Sequence, residues 1–407
     1  MILNNVRMAL TGQTVSIRIK DGKIAQVFPG NFYDQTDELN LSFDNTIIFP
    51  GLINSHDHLD FNLFPALAGR TFKNYTEWGV YIHLKYKDVI DSVLKVPEKL
   101  RIQWGIYKNL LCGVTTVVNH GKRINVSNDL INIFQNCQSI HSVHFEKRWR
   151  FALNNPLNKN LPAVIHCGEG IDDLASNEID RLIKSNILKR PIVAVHGVAM
   201  NEEQAKQFKA LVWCPESNCF LLDKTAPVNH IKKHIPILFG TDSTLTGDWN
   251  IWNHIRKAKR TGMLSEQELF DALTVNPANI WGLNTGVVTE GMDADVVLSK
   301  ADSFFSTDPQ NIQLVMHKGQ ISLFDEALLP QLRAINTNEY SKITISDSSK
   351  YVKGNLPELI SKVKQFHPNA SFPVVYPPDY DFDSKNRHQT ISRDQAFWQG
   401  YHSFSGI

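Results

Sequence analysis

The sequence predicts an α/β chain: a distorted (β/α)8 TIM-type barrel with a small β-sandwich domain formed by both chain ends. Three observations predict it. Apolar strands alternate with helix patterns through the middle of the chain, related β patterns stand near its two ends, and strand after strand stops at a histidine or a carboxylate. Strands that are apolar throughout and separated by helices imply a parallel sheet covered on its outer face. Barrels of this kind gather their chemistry at the C-terminal ends of the strands.

Taken in order, "VSIRIKDGKIAQVF" carries two alternating runs around Asp21-Gly22, a pair that tolerates the positive φ of a type I′ hairpin turn. A similar pattern returns in "DADVVLSK" and "QLVMHKGQISLF", which suggests one β unit built from both flanks. Between them lie the strand candidates "TIIFPGLINSH", "GVTTVVNHG", "QSIHSVHF", "PAVIHCGEG", "PIVAVHGVAM", "ALVWCP" and "IPILFGTD". Helix starts are legible too. Ser265 with Glu268 and Asn201 with Gln204 have the spacing of capping boxes. Pro97 suits the first turn of a helix in which Leu100, Trp104, Tyr107 and Leu111 share a face. The expected division is 1–48 and 286–330 for the two parts of the sandwich, 49–285 for the barrel, and 331–407 for a polar, turn-rich extension. One sector is short: residues 122–161 must hold two strands with their helices, and only the strand near 138–146 stands out, with "RWRFAL" as a weak second.

The bulk numbers describe an ordinary globular chain. Of 407 residues, 42% are hydrophobic and 20% charged. A net charge of +1 makes no electrostatic case for nucleic acid or an anionic membrane as a partner, and leaves a small-molecule substrate and a homo-oligomer open. No apolar run is long enough to span a bilayer, and the first residues have no signal-peptide pattern. Five scattered cysteines suit a reducing compartment, and the expected location is cytoplasmic.

In "GLINSHDHLDF", His56 and His58 follow an apolar run one residue apart. In an extended strand i and i+2 point the same way, so both imidazoles face one side and Asp57 the other. Two imidazoles on one face make half a zinc-type ligand set. Later strands end at His166 with Glu169, at His196 and at Asp242. Each alone reads as a structural residue. Together they read as a site.

These residues carry a resemblance. "FPGLINSHDH", "IHCGEG", "VAVHG", "WCPESNCFL", "FGTDS" and "GMDADVVL" resemble the signature run of the amidohydrolase superfamily, in particular its mononuclear cytosine deaminase, guanine deaminase and chlorohydrolase branch. The resemblance implies one divalent metal ion, Zn2+ or alternatively Fe2+, held by His56, His58, His166 and Asp242. It gives proton shuttling to Glu169 and contact with the hydroxide or the substrate to His196. The chemistry is self-consistent, because such an ion lowers the pKa of a bound water from about 15.7 to roughly 7, Glu169 then moves its proton, and Asp242 can also accept one. His196 would stabilise the developing oxyanion. The implied activity is hydrolysis of carbon–nitrogen bonds other than peptide bonds, in first place deamination of an amino-substituted N-heterocycle by metal-bound hydroxide. Opening of a cyclic amide or lactone, displacement of chloride, or ligand binding without turnover are the alternatives.

Further candidates are weaker. Trp78 and Tyr81 lie in a long aromatic stretch suited to touching a flat ring, and Arg150 offers a planar fork for a substrate oxygen. Ser217 and Asn218 match a Ser-Asn element of the resembled branch and would shape the pocket wall. Lys147 is a candidate bridge for a binuclear site, while His120 and Lys122 could line the mouth or stay on the surface. Cys214 and Cys219 lack a second pair and read as structural.

Overall fold

The computed structural model describes residues 1–32, 38–126, 128–333 and 335–377. Eight parallel strands form its centre: β1 (Leu52–Asp57), β2 (Val114–Asn119), β3 (Asn132–Phe134), β4 (Gln138–Ser142), β5 (Ala163–Cys167), β6 (Ile192–His196), β7 (Ala210–Trp213) and β8 (Ile237–Phe239). They fall into two ladders, β1-β2-β3 and β4-β5-β6-β7-β8. Backbone bonds at the C-terminal ends of the strands tie the ladders together. Thr241 donates to the His56 carbonyl (3.0 Å) and His58 to the Asp242 carbonyl (3.1 Å). The order is that of a TIM-like barrel, β4 through β8 and then β1 through β3. No ladder joins β3 to β4 among the described residues.

Among the described residues the short sector holds both strands, and it is compressed because no helix separates them. "QSIHSVHF" supplies β4, and β3 is an extra three-residue strand that the sequence pattern does not announce. Only residues 135–137 lie between them. "RWRFAL", the weak strand candidate, is a helix over Trp149–Leu153 that buries Trp149 and Leu153.

Around the barrel strands the local signals hold. Asp21 and Gly22 take φ of 52° and 77°, and Thr14–Lys20 pairs antiparallel with Lys23–Pro29. Both capping boxes form. The helix Glu98–Leu111 follows Pro97 and buries Trp104, Tyr107 and Leu111.

The long apolar candidate at 46–56 is two strands. Ile47–Pro50 joins a peripheral sheet, whereas Leu52–Asp57 enters the barrel. Gly51 makes the break, and a Cβ there would come within 2.1 Å of Thr115 Oγ1. Among the described residues the peripheral sheet has ten strands, drawn from both flanks of the barrel. It also takes in Tyr340–Ile345 and Ser348–Lys353, the latter paired with Gln320–Asp325. The sequence-based boundary at 330 is therefore corrected: alternating residues at 340–353 continue the sheet, and the helix Leu356–Phe366 packs after them. The rest of the expected extension, 378–407, lies outside the described residues. Among the described residues no helix is long and apolar enough to cross a membrane.

Candidate metal centre

Five side chains from four strand ends meet at one point. His56 is in β1, His58 one residue past it, His166 in β5 and His196 last in β6, while Asp242 lies just beyond β8. Glu169 follows β5 by two residues. Gly168 makes that turn at φ +64°, and a Cβ on it would sit 2.6 Å from Ile179. His196 and Asp242 themselves hold left-handed backbone, at φ 72° and 62°. For side chains with a Cβ this costs about 1–3 kcal/mol each and persists only where the surroundings enforce it.

The donor atoms converge. His166 Nε2 is 3.2 Å from His56 Nε2 and 3.3 Å from His58 Nε2. Asp242 Oδ1 is 3.6 Å from His56 Nε2 and 3.4 Å from His58 Nε2. A tetrahedral ion with bonds of 2.0–2.1 Å separates its ligands by about 3.3–3.4 Å, so the set has the size of a divalent-ion site. Its protonation fits as well. Burial, then the nearby His56, pushes His58 down to about 3, and burial holds His166 well below its usual value. Both imidazoles therefore stay neutral and keep a lone pair. Burial opposes ionisation of Asp242, but the hydrogen bond with His56 and the imidazoles of His58 and His196 around it keep its carboxyl below the usual range. Its second oxygen is already taken, accepting from Ser217 Oγ (2.8 Å) and Thr246 Oγ1 (2.7 Å).

His196 also stands close enough to share an ion with His56, His166 and Asp242. Hydrogen bonds to the outer nitrogens separate the roles open to His166 and His196. The His141 carbonyl accepts from His166 Nδ1 (2.8 Å), which leaves Nε2 with the lone pair. Asn218 Nδ2 meets His196 Nδ1 at 2.9 Å, and Thr225 Oγ1 donates to the other end of that amide. The amide donates to Nδ1, so the proton of His196 sits on Nε2. That nitrogen lies 3.6 Å from Glu169 Oε2. Burial raises the Glu169 carboxyl well above its usual value, with Asp242 adding to the effect.

A pocket opens over these groups. Phe61, Tyr75, Trp78 and Phe145 give it aromatic walls, with His141, Ser243 and Thr246 as polar points; no lysine or arginine lines it among the described residues. Trp78 is thus in place, its Nε1 donating to Leu67 O. Other expectations are corrected. Tyr81 packs on Phe72 and Tyr86 beside the pocket, outside its lining. Arg150 is exposed on its helix, stacked over Trp149 with Nε donating to Ser185. Asn218 is fully buried behind His196. Lys147 is exposed and not part of the lining. Tyr75, His141 and the burial of His120 are absent from the sequence reading. The signal for His120 was its place one residue past β2, level with His58 one residue past β1.

Comparison with known proteins agrees with this architecture. The profile of the Amidohydrolase family matches residues 152–322. A 5-methylthioadenosine/S-adenosylhomocysteine deaminase of Caldicellulosiruptor saccharolyticus is 25% identical over 78% of this chain and 92% of its own. An imidazolonepropionase of Thermoplasma volcanium is 22% identical over 77% and 91%. Among solved structures, a zinc-complexed atrazine chlorohydrolase from Arthrobacter aurescens superposes with a TM-score of 0.64 at 15% identity, covering 90% of this chain and all (100%) of that one. A guanine deaminase from C. acetobutylicum with bound guanine gives 0.59 at 17%, covering 79% and 98%.

Proposed function

From a chain that belongs to the amidohydrolase superfamily, we propose a metal-dependent deaminase that hydrolyses the exocyclic amine of a small, neutral N-heterocycle. The observation that carries this reading is the convergence of three imidazole nitrogens and one carboxylate oxygen beneath an aromatic pocket that also holds Glu169. His56, His58, His166 and Asp242 would hold one divalent ion, zinc in first place and iron as the alternative. When bound, it supplies Lewis-acid polarisation and makes water acidic enough to lose a proton near neutrality.

The chain's own groups do the rest. Phe61, Tyr75 and Trp78 sandwich a flat ring and exclude water from its faces. Glu169 takes the proton of the attacking water and returns it to a ring nitrogen, then to the departing amine, so water enters and ammonia leaves. His196 keeps its Nε2 proton and donates to the oxygen that gains charge as the carbon becomes tetrahedral. Among the described residues no lysine or arginine lines the pocket, which favours a neutral ring over a phosphorylated or carboxylate-bearing one. In the same reading the eight strands close as a distorted (β/α)8 barrel over 49–285. Residues 1–48 and 286–330 then form the β-sandwich, extended by 340–353.

The similarity to an imidazolonepropionase and an atrazine chlorohydrolase supports a second reading, in which the same site opens a cyclic amide or displaces chloride. Elemental analysis, followed by a screen of amino- and chloro-substituted heterocycles and cyclic amides, decides between them. About one zinc or iron per chain and ammonia release are expected. Chloride or ring-opened product without ammonia would establish the second reading, and no metal after supplementation would overturn both.

A further inference from the structure

His120 is a buried imidazole for which the reading above has no use. It follows the last residue of β2, and the register that pairs Asp57 with Asn119 sets it level with His58 on the inward side. Only 2% of it is exposed. Its ring centroid lies 4.3 Å from His166, 5.0 Å from His56 and 5.3 Å from His58. Those three rings stand 4.9–5.3 Å from one another, so His120 sits over the triangle they make. Neither of its ring nitrogens has a hydrogen-bond partner among the described residues.

A neutral imidazole carries one N–H and one lone pair. Buried polar atoms are rarely left unpaired, and a bound ion is one of the few things that accounts for them. A lone pair held among three other imidazoles, with no donor in reach, matches a cation better than any other occupant.

We propose that His120 is a fifth protein donor of this centre, binding the same divalent ion from the β2 side. Zinc accepts five ligands as well as four, so His120 takes the fifth position in the resting centre and yields it when water binds. The proposal rests on the metal-centre reading and is independent of the substrate.

The test is proton NMR of the Co2+-loaded protein in water, where each bound imidazole contributes one hyperfine-shifted, exchangeable ring N–H. We expect one such signal fewer in H120F and in H120N than in the unsubstituted protein. We also expect loss of the ion to a competing chelator at least about tenfold more readily. Far-UV circular dichroism checks the fold of both, and H120N carries the test should H120F not fold. An unchanged signal count with unchanged metal retention would overturn the proposal, as would a loss of substrate affinity alone. A reduced count in a protein that deaminates nothing would leave this proposal standing and remove the functional one.

Discussion

The two sides of β1 are equally buried and differ in how far their polar groups are satisfied. On the side away from the pocket, the Asp57 carboxylate accepts from Lys108 Nζ (2.9 Å), Asn109 Nδ2 (2.8 Å), Asn62 Nδ2 (2.6 Å) and Asn54 Nδ2 (3.1 Å). On the pocket side, His56 Nδ1 and both nitrogens of His120 have no partner among the described residues, and three imidazole nitrogens and a carboxylate oxygen crowd one point. Saturated polar groups stiffen a core, while unsaturated ones await a guest. One strand thus separates a clamp from a receptor.

Emptying the receptor should have the largest effect. His58→Ala is expected to lose nearly all bound metal, read by elemental analysis after gel filtration; a fully loaded variant would contradict the ligand set. Glu169→Gln should keep the metal and lose turnover by at least about 10²-fold. Retained turnover at full metal occupancy would remove Glu169 from proton transfer. Breaking the clamp acts on stability instead. Lys108→Met leaves a fully buried carboxylate without its cation, and denaturant unfolding should show a loss of about 3–5 kcal/mol. A loss under about 1 kcal/mol would mean that the two sides do not differ as described.

A subtler contrast is Glu178, fully buried, with the Tyr75 hydroxyl donating to it at 3.4 Å and His144 Nε2 3.7 Å from its Oε2. Burial pushes its carboxyl up to about 8 from an ordinary 4.5. The folded chain keeps this proton after the unfolded chain has released it. Its contribution to stability is therefore full below about pH 4.5 and fades as pH rises toward about 8. Melting temperatures of Glu178→Gln should show a shallower decline across that window, and an identical decline would place the proton elsewhere. Smallest of all, Arg150→Ala should leave kcat/KM within about twofold, since its head lies on the surface over Trp149.

Much of the site was legible because strand ends announce themselves: an apolar run followed by His, Glu or Asp is a local pattern. His56, His58, His166, Glu169, His196 and Asp242 all come together as that pattern implies. What escaped depends on neighbours distant in sequence. His120 is central because β2 pairs in register with β1, and Lys108 matters because its helix sets it beside Asp57. Arg150 misled because a planar fork looks useful wherever it stands. β3 was missed because three residues are too few to show an alternation. The boundary at 330 was misplaced because polar, turn-rich flanks mask a hairpin whose partner strand is on the far side of that boundary.

The peripheral sheet carries a consequence for the order in which the chain can assemble. Ile47–Pro50 finds its antiparallel partner in Val296–Ser299, with the whole barrel between them. During synthesis the first strands leave the ribosome with an open, apolar edge, and nothing can cover it until residue 299 has emerged. Pairings so distant in sequence are slow to form. That edge stays bare until then, and the interval before the last strands arrive is when this chain is most exposed to aggregation.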